Sequence, residues 1–335
     1  MKIVVRAPNW VGDAILALPA IDSLRLNFPG ADVTIAAEDW IRELFGPENI
    51  AARVLPLPAT KTWSGLKAAA DILRAGKFDL AVLLTNSFGS ALPFWRARVP
   101  QRWGYRRDGR AWLLTKSVKP PDSQSEPGHH VHYYRDLIRK LGLRIVEPDL
   151  RLRVSDEERE AVRADLRAAG VDPHRPLVVL NPGASYGPAK RWPAARFAAL
   201  GRLLQKEKNA GVAVTGSPAE ADIAAAVAAA MDVKPLNLAG KTTLRRLLAV
   251  IGEAAVFVTN DTGPMHMANA LRVPVVAVFG PTDPRATAPF HPPSAVLKKD
   301  APCWPCLYRK CPYDHRCMIS ISAEDAFAAC AAWLG

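Results

Sequence analysis

An apolar run, Ala255-Val256-Phe257-Val258, passes through Thr259-Asn260-Asp261-Thr262-Gly263 into a segment opened by Pro264. That order predicts a buried strand, a tight turn and a helix. Pro264 suits a first helical turn, where its missing N–H is not needed. The amides at such a helix start carry roughly half a positive charge and hold phosphate well. A second apolar run, Val275 to Phe279, ends in Gly280-Pro281-Thr282-Asp283-Pro284. Two neighbouring strand ends with small, polar turns make a nucleotide crevice in an open α/β sheet.

The same alternation runs through the rest of the chain. In the first half, Lys2–Ala7, Val33–Ala37 and Phe78–Thr85 read as strands, and Gly12–Asn27, Leu66–Ala75 and His130–Leu141 as helices. In the second half, Leu177–Leu180 and Val212–Thr215 read as strands. Pro193–Lys206, Ala219–Met231, Thr243–Gly252 and Ala323–Leu334 read as helices. Strands alternating with helices imply a parallel sheet. A length of 335 residues suggests two such domains, with the junction between Glu147 and Pro176. Between the early strands and that junction lies a different region, Pro93–Pro121. Arg96, Arg98, Arg102, Arg106, Arg107, Arg110, Lys116 and Lys119 stand there against the single acid Asp108, with Trp95, Trp103, Tyr105 and Trp112 interleaved. Pro120–Gly128 reads as a loop by composition.

Every apolar stretch is interrupted by charge before the roughly 18 residues that a membrane-crossing helix needs. The start, Met1-Lys2-Ile3-Val4-Val5-Arg6, is charged too soon for a signal peptide. A cytoplasmic protein is expected. The net charge of +12 favours anionic partners.

Several turns hold residues with chemical potential. Gly12 and Asp13 follow the first strand and open the first helix. Gly12 lets a ligand approach the backbone. Asp13 reads either as a general base or as a carboxylate that merely favours the helix start. Ser185 and Lys190, in Asn181-Pro182-Gly183-Ala184-Ser185-Tyr186-Gly187-Pro188-Ala189-Lys190-Arg191-Trp192, can hold a diphosphate by hydroxyl and ammonium. An ordinary basic loop is the alternative. Glu220 is placed to accept from ribose hydroxyls or to favour its own helix start. His266 lies one helical turn past Gly263 and can donate to phosphate or sugar, or serve structure alone. Cys303, Cys306, Cys311 and Cys317 have a spacing that permits a tetrahedral metal site, with reduced, packed thiols as the other reading. No Walker A loop follows a strand, and no Gly-x-Gly-x-x-Gly fingerprint does. No RNA-binding signature is visible, so no nucleic-acid partner is expected.

Four elements together carry a family resemblance. They are Ala7-Pro8-Asn9-Trp10-Val11-Gly12-Asp13, Asn181-Pro182-Gly183-Ala184 with Lys190-Arg191-Trp192-Pro193, Asn260-Asp261-Thr262-Gly263-Pro264 with His266, and Phe279-Gly280-Pro281-Thr282-Asp283-Pro284. In this order they resemble the family-9 glycosyltransferases, the ADP-heptose:lipopolysaccharide heptosyltransferases. The Asn-Trp-Val-Gly-Asp opening and the cysteine-bearing tail are most similar to the branch that adds the second heptose. Branches that add the first or third heptose, or another core sugar, are one alternative, and a non-enzymatic basic module that binds membrane or nucleic acid is another.

The resemblance implies an α/β, GT-B architecture of two Rossmann-like domains facing a central cleft. Residues 1–155 would form the acceptor domain and 156–320 the ADP-heptose domain, with 321–335 a helix packing back on the first. It implies ADP-heptose as donor and heptosyl-Kdo2–lipid A as acceptor. It further implies an inverting reaction, without metal or cofactor, peripheral to the inner face of the cytoplasmic membrane. By match to the family pattern, Asp13 is the base and Lys190 neutralises the donor phosphates. Gly12, Ser185, Glu220, Asp261, Thr262, Gly263 and His266 bind the donor. Acceptor-binding residues do not transfer. The basic, aromatic region at Pro93–Pro121 is expected to meet lipid phosphates, Kdo carboxylates or anionic headgroups.

Overall fold

A computed structural model describes residues 1–46, 53–122 and 128–335. The chain divides into two compact domains, Met1–Arg151 and Leu152–Gly335. Residues 123–127 of the expected loop at Pro120–Gly128 lie outside the described residues.

The first domain carries six strands: β1 (Lys2–Arg6), β2 (Asp32–Glu38), β3 (Arg53–Leu57), β4 (Leu80–Leu83), β5 (Gln101–Tyr105) and β6 (Lys116–Val118). The second carries β7 (Leu177–Asn181), β8 (Gly211–Val214), β9 (Leu236–Asn237), β10 (Val256–Asn260), β11 (Val275–Phe279) and β12 (Ser294–Lys298). The spatial orders are β3-β2-β1-β4-β5-β6 and β9-β8-β7-β10-β11-β12. All pairings are parallel. Each sheet is therefore wound outward in both directions from its first strand, the doubly wound order of a Rossmann fold. Two such units in one chain give the α/β, GT-B class. The order reverses between β1 and β4 in one sheet and between β7 and β10 in the other. Ligands of such sheets bind beyond the carboxyl ends of the strands at that reversal.

Strands β7, β10 and β11 are buried at every position. Both of their faces are apolar because helices cover both sides of a parallel sheet. Core side chains of the second domain include Val178, Leu180, Phe197, Val258 and Val278 around the fully buried Trp192.

Three expectations change. The expected helix Gly12–Asn27 is two helices, Val11–Leu16 and Leu18–Asn27. Pro19 has no N–H for the carbonyl of Ile15, so the α-helical ladder breaks around Ala17. The region Pro93–Pro121 is not separate from the first sheet: it contains β5 and β6, which complete it. The domain boundary falls at Arg151/Leu152 rather than 155/156. The helix Ala323–Ala331 buries Ala323, Ala326 and Cys330 in the second domain's core. Its small, apolar face fits the helix Ala194–Lys208, against which it lies.

Trp192 is wholly buried. Its indole donates to the carbonyl of Ile321 at 3.0 Å and meets Phe197 edge-on with ring centroids 4.9 Å apart. Trp192→Ala is expected to cost about 3–5 kcal/mol. Urea denaturation followed by circular dichroism would show the shift of the second domain's midpoint.

Candidate active site

The second domain's reversal point is built from polar residues that end apolar strands. Asn181 ends β7 and Asn260 ends β10, and Asn181 lies across from Thr259 in the ladder. Asn181 Nδ2 donates to Thr259 Oγ1 at 3.2 Å and Thr262 Oγ1 at 3.4 Å. Thr215, just beyond β8, donates to Asn181 Oδ1 at 3.3 Å. Asn260 is fully buried and spends its side chain on the β7 loop. Its Nδ2 donates to the carbonyls of Pro182 at 2.9 Å and Gly183 at 3.0 Å. Its Oδ1 accepts from the Trp192 amide at 2.9 Å. A buried amide that binds both ends of a loop fixes where the residues between them stand.

Lys190 is one of those residues. Its ammonium contacts Asp261 Oδ2 at 2.5 Å and lies 4.8 Å from the Tyr186 ring centroid. Asp261 also accepts from Thr282 at 2.7 Å on Oδ2 and from Thr287 at 3.1 Å on Oδ1. The carboxylate thus joins three turns: the β7 loop, its own, and the one after β11. Beside it starts the helix Gly263–Ala270, with Pro264 in its first turn and no side-chain cap from Thr262. Uncapped first-turn amides together with a lysine make an anion-binding arrangement.

The sequence candidates in this domain divide by position. Lys190, Asp261, Thr262 and Gly263 come together. His266 is buried in the same helix, between Met265 and Met267. Ser185 is exposed on the β7 loop. Glu220 Oε2 accepts from the amide of Ser217 at 2.9 Å and its hydroxyl at 2.7 Å. Ser217 and Glu220 thus form a capping box. Glu220 lies so close to Gly183 that a Cβ there would stand 2.2 Å from its carboxyl carbon. A side chain at position 183 would have to displace the Glu220 carboxylate.

In the first domain, Asp13 stands in the first turn of Val11–Leu16, directly after β1. Tyr134, from the helix His130–Lys140, donates to Asp13 Oδ1 at 3.2 Å. Burial, with the Asp13 carboxylate alongside, pushes the Tyr134 phenol well above its ordinary value. It therefore stays protonated and remains a donor. Asn86, beyond β4, donates to the Tyr133 hydroxyl at 2.7 Å. The buried Arg6 guanidinium donates to Asn9 Oδ1 at 2.7 Å and lies 3.5 Å from Glu38. That shapes the backbone entering Gly12. Desolvation lowers Arg6 to about 10.

The cysteine tail is built against the β7 loop. Cys303, Cys306, Cys311 and Cys317 line one cavity of about 390 Å³ with Ala189 and His315. His315 Nε2 is 2.7 Å from the carbonyl of Ala189. The Ala189 amide donates to Arg309 at 3.1 Å. Tyr186 donates to the carbonyl of Leu307 at 2.7 Å. The tail thereby braces Tyr186 and Ala189, both on the N-terminal side of Lys190 in the same loop. Among the described residues, no three His, Cys, Asp or Glu side chains stand as a group able to hold a metal ion.

Sequence reasoning did not single out Asn181, Asn260, Thr282, Thr287 or Tyr134. A polar residue ending an otherwise apolar strand is the signal that marks Asn181 and Asn260. Tyr134 lies 121 residues from Asp13 and has no local signal.

Gly183→Ala is expected to push Glu220 out of its capping box and cost about 1–3 kcal/mol. Adding Glu220→Ala relieves the overlap, so a double-mutant thermal cycle should be strongly non-additive. Burial raises the Cys317 thiol and takes Cys330 up to about 12. At pH 8 the fraction of thiolate at both falls, and iodoacetamide reacts with thiolate. Mass spectrometry should find Cys303, Cys306 and Cys311 alkylated first in the native protein.

Known proteins similar to this chain share nearly all of its length. The profile of glycosyltransferase family 9 (heptosyltransferase) matches residues 67–316. Lipopolysaccharide heptosyltransferase 2 of Salmonella typhimurium is 33% identical over 312 residues, covering 89% of this chain and 88% of that protein. The solved structure of E. coli ADP-heptose lipopolysaccharide heptosyltransferase II is 28% identical, with a TM-score of 0.85, covering 100% of this chain and 98% of that one. A family-9 glycosyltransferase from Veillonella parvula, 23% identical with a TM-score of 0.86, shares the fold over 99% of this chain and 97% of its own.

Proposed function

The chain belongs to glycosyltransferase family 9, and from that premise we propose that it transfers L-glycero-D-manno-heptose from ADP-heptose to the first heptose of the lipopolysaccharide inner core. The acceptor is heptosyl-Kdo2–lipid A, and the reaction is an inverting displacement that needs no metal ion. The 33% identity to a lipopolysaccharide heptosyltransferase 2 supports the choice of substrates. One structural observation carries the chemistry: Lys190, held by Asp261 at 2.5 Å, stands with an uncapped helix start at the second domain's reversal point.

Proton removal belongs to the first domain in this proposal and leaving-group stabilisation to the second. Asp13 accepts the proton of the attacking acceptor hydroxyl. Tyr134 orients that carboxylate through its hydroxyl. The acceptor oxygen bonds to the anomeric carbon as the bond to the diphosphate breaks on the opposite face, which inverts the centre. Negative charge grows on the departing ADP. An ammonium has three donors, so Lys190 can hold Asp261 and still donate to a phosphate oxygen. The amides of Thr262 and Gly263 add fixed donors there. Preorganised donors of this kind contribute on the order of 3 kcal/mol each. They take the electrostatic part that a divalent cation plays in other nucleotide-sugar enzymes. Gly12, Ser185, Glu220 and His266 complete the donor contacts. The acceptor carries a lipid, so the enzyme works peripherally at the cytoplasmic face of the inner membrane.

Asp13→Ala should lower turnover by at least about a hundredfold and leave ADP binding by calorimetry unchanged. Lys190→Ala should weaken ADP binding and turnover together. Full activity in EDTA is expected. Normal turnover of Asp13→Ala would remove it as the base, and loss of activity in EDTA with the fold intact would end the metal-free account. Acceptors with and without the first heptose, offered in parallel, test the acceptor.

A further inference from the structure

We propose that Trp63, Phe88, Trp95 and Trp112 form a docking surface for an anionic phospholipid bilayer. The inference rests on the peripheral membrane placement proposed above and names the surface that achieves it. These four rings are 65%, 36%, 43% and 61% exposed. Large aromatic side chains are normally well buried. Here they come from three separate elements of the first domain. Trp63 opens the helix Trp63–Gly76, Phe88 and Trp95 lie on the helix Phe88–Arg96, and Trp112 sits in the turn Ala111–Leu113. Trp112 is the centre, with ring centroids 5.7 Å from Phe88 and 5.8 Å from Trp95. Arg96 joins Trp63 to the group, its guanidinium 4.6 Å from that ring centroid. A contiguous exposed aromatic patch marks a place where something binds.

Charge chooses the partner. Lys61 and Lys67 are exposed beside Trp63 in the chain, and Arg98 is exposed two residues past Arg96. Ala111, adjacent to Trp112, also lines an open depression of about 460 Å³ with Arg106, Arg107 and Lys119. Asp108 is the one acid between Pro93 and Pro121, and it lies 3.7 Å from Arg107. Tryptophan rings seat at headgroup depth, and arginine and lysine extend their charged tips to phosphate beside them. Clustered cations add attraction to anionic lipid. The expected basic, aromatic face is thereby redrawn. Tyr105 and Arg110 are buried, and Trp103 packs under Lys116 against Phe28. Trp63 and Phe88, outside the basic stretch, take their place.

The test uses the purified full chain and vesicles of phosphatidylglycerol with phosphatidylethanolamine, against phosphatidylcholine alone. The native chain should co-sediment with the anionic vesicles. Its tryptophan fluorescence should be quenched by brominated lipid. The triple variant Trp63→Ser, Trp95→Ser, Trp112→Ser should lose at least tenfold in partitioning. Its turnover on a delipidated, water-soluble acceptor should match the native chain's, which also shows that it folds. The conservative triple variant with Phe at the same positions should retain vesicle binding. If the native chain binds and the serine variant binds equally, the patch is wrong and the membrane placement stands. If the native chain binds neither vesicle, the membrane placement falls and the patch with it. Equal binding to neutral and anionic vesicles would remove the role of charge.

Discussion

Asn260 ends β10 and Asp261 follows it directly, and the arrangement at the second domain's reversal point hangs on this pair. Asn260 points its amide at the β7 loop and holds it at both ends, through Pro182, Gly183 and Trp192. Asp261 holds Lys190 from that same loop and Thr282 and Thr287 from the turn after β11. Neither could be replaced by an apolar residue without leaving buried backbone groups unpaired or the half-buried Lys190 ammonium without its carboxylate. Such losses cost more than the net worth of the bonds themselves. Because Asn260 ends β10 and Asp261 follows it immediately, the lysine position is set from the sheet and not by the loop's own preferences. A long, glycine- and proline-containing loop would otherwise leave a four-carbon side chain free to wander.

A second support reaches the loop from the far end of the chain. The cysteine-bearing tail contacts it at Tyr186, Gly187 and Ala189. Gly187 has φ of +156°, and a Cβ there would stand 2.4 Å from the carbonyl oxygen of Arg309. The tail and the loop therefore meet backbone to backbone, which a side chain at Gly187 would prevent. The final helix continues this logic. Trp192 ends the loop and donates to Ile321, immediately before Ser322 caps Ala323–Ala331. That helix is thereby tied to the second domain at its first turn.

Much of the fold was legible because parallel strands covered on both faces are short, continuous apolar runs. Val275–Phe279 is such a run, and its observed limits match those read from the sequence. The strands that escaped notice are of another kind. β5 reads Gln-Arg-Trp-Gly-Tyr, and its arginine suggested surface. Arg102 instead turns its guanidinium onto the carbonyls of Val99 and Leu113. Arg110 donates to the carbonyl of Tyr105 from a fully buried position. Cations spent on backbone oxygens are invisible to a hydropathy pattern. The candidate site was legible in pieces, since each turn after a strand carries its own local signal. The ties between the pieces were not. Asp261 reaches 71 residues back to Lys190 and 26 forward to Thr287, and only the strand order brings those turns together.

The two domains repeat one strand order yet carry unlike chemistry at the corresponding place. After β1 stands a carboxylate with a phenol donating to it; after β7 and β10 stand an ammonium and a helix start. For the proposed reaction this division has an electrostatic reason. A base close to a strong cation is held ionised but loses affinity for a proton, whereas a departing diphosphate needs all the cationic charge it can find. Tyr134 resolves the first demand. Its buried hydroxyl stays protonated, so it orients Asp13 by donation without bringing a positive charge of its own. Asp261 fixes the position of the ammonium through one of its donors and leaves the others for a phosphate. Exchanging the two partners, a lysine for Tyr134 or a tyrosine for Lys190, would keep a hydrogen-bond donor at each place and defeat the proposed chemistry at both.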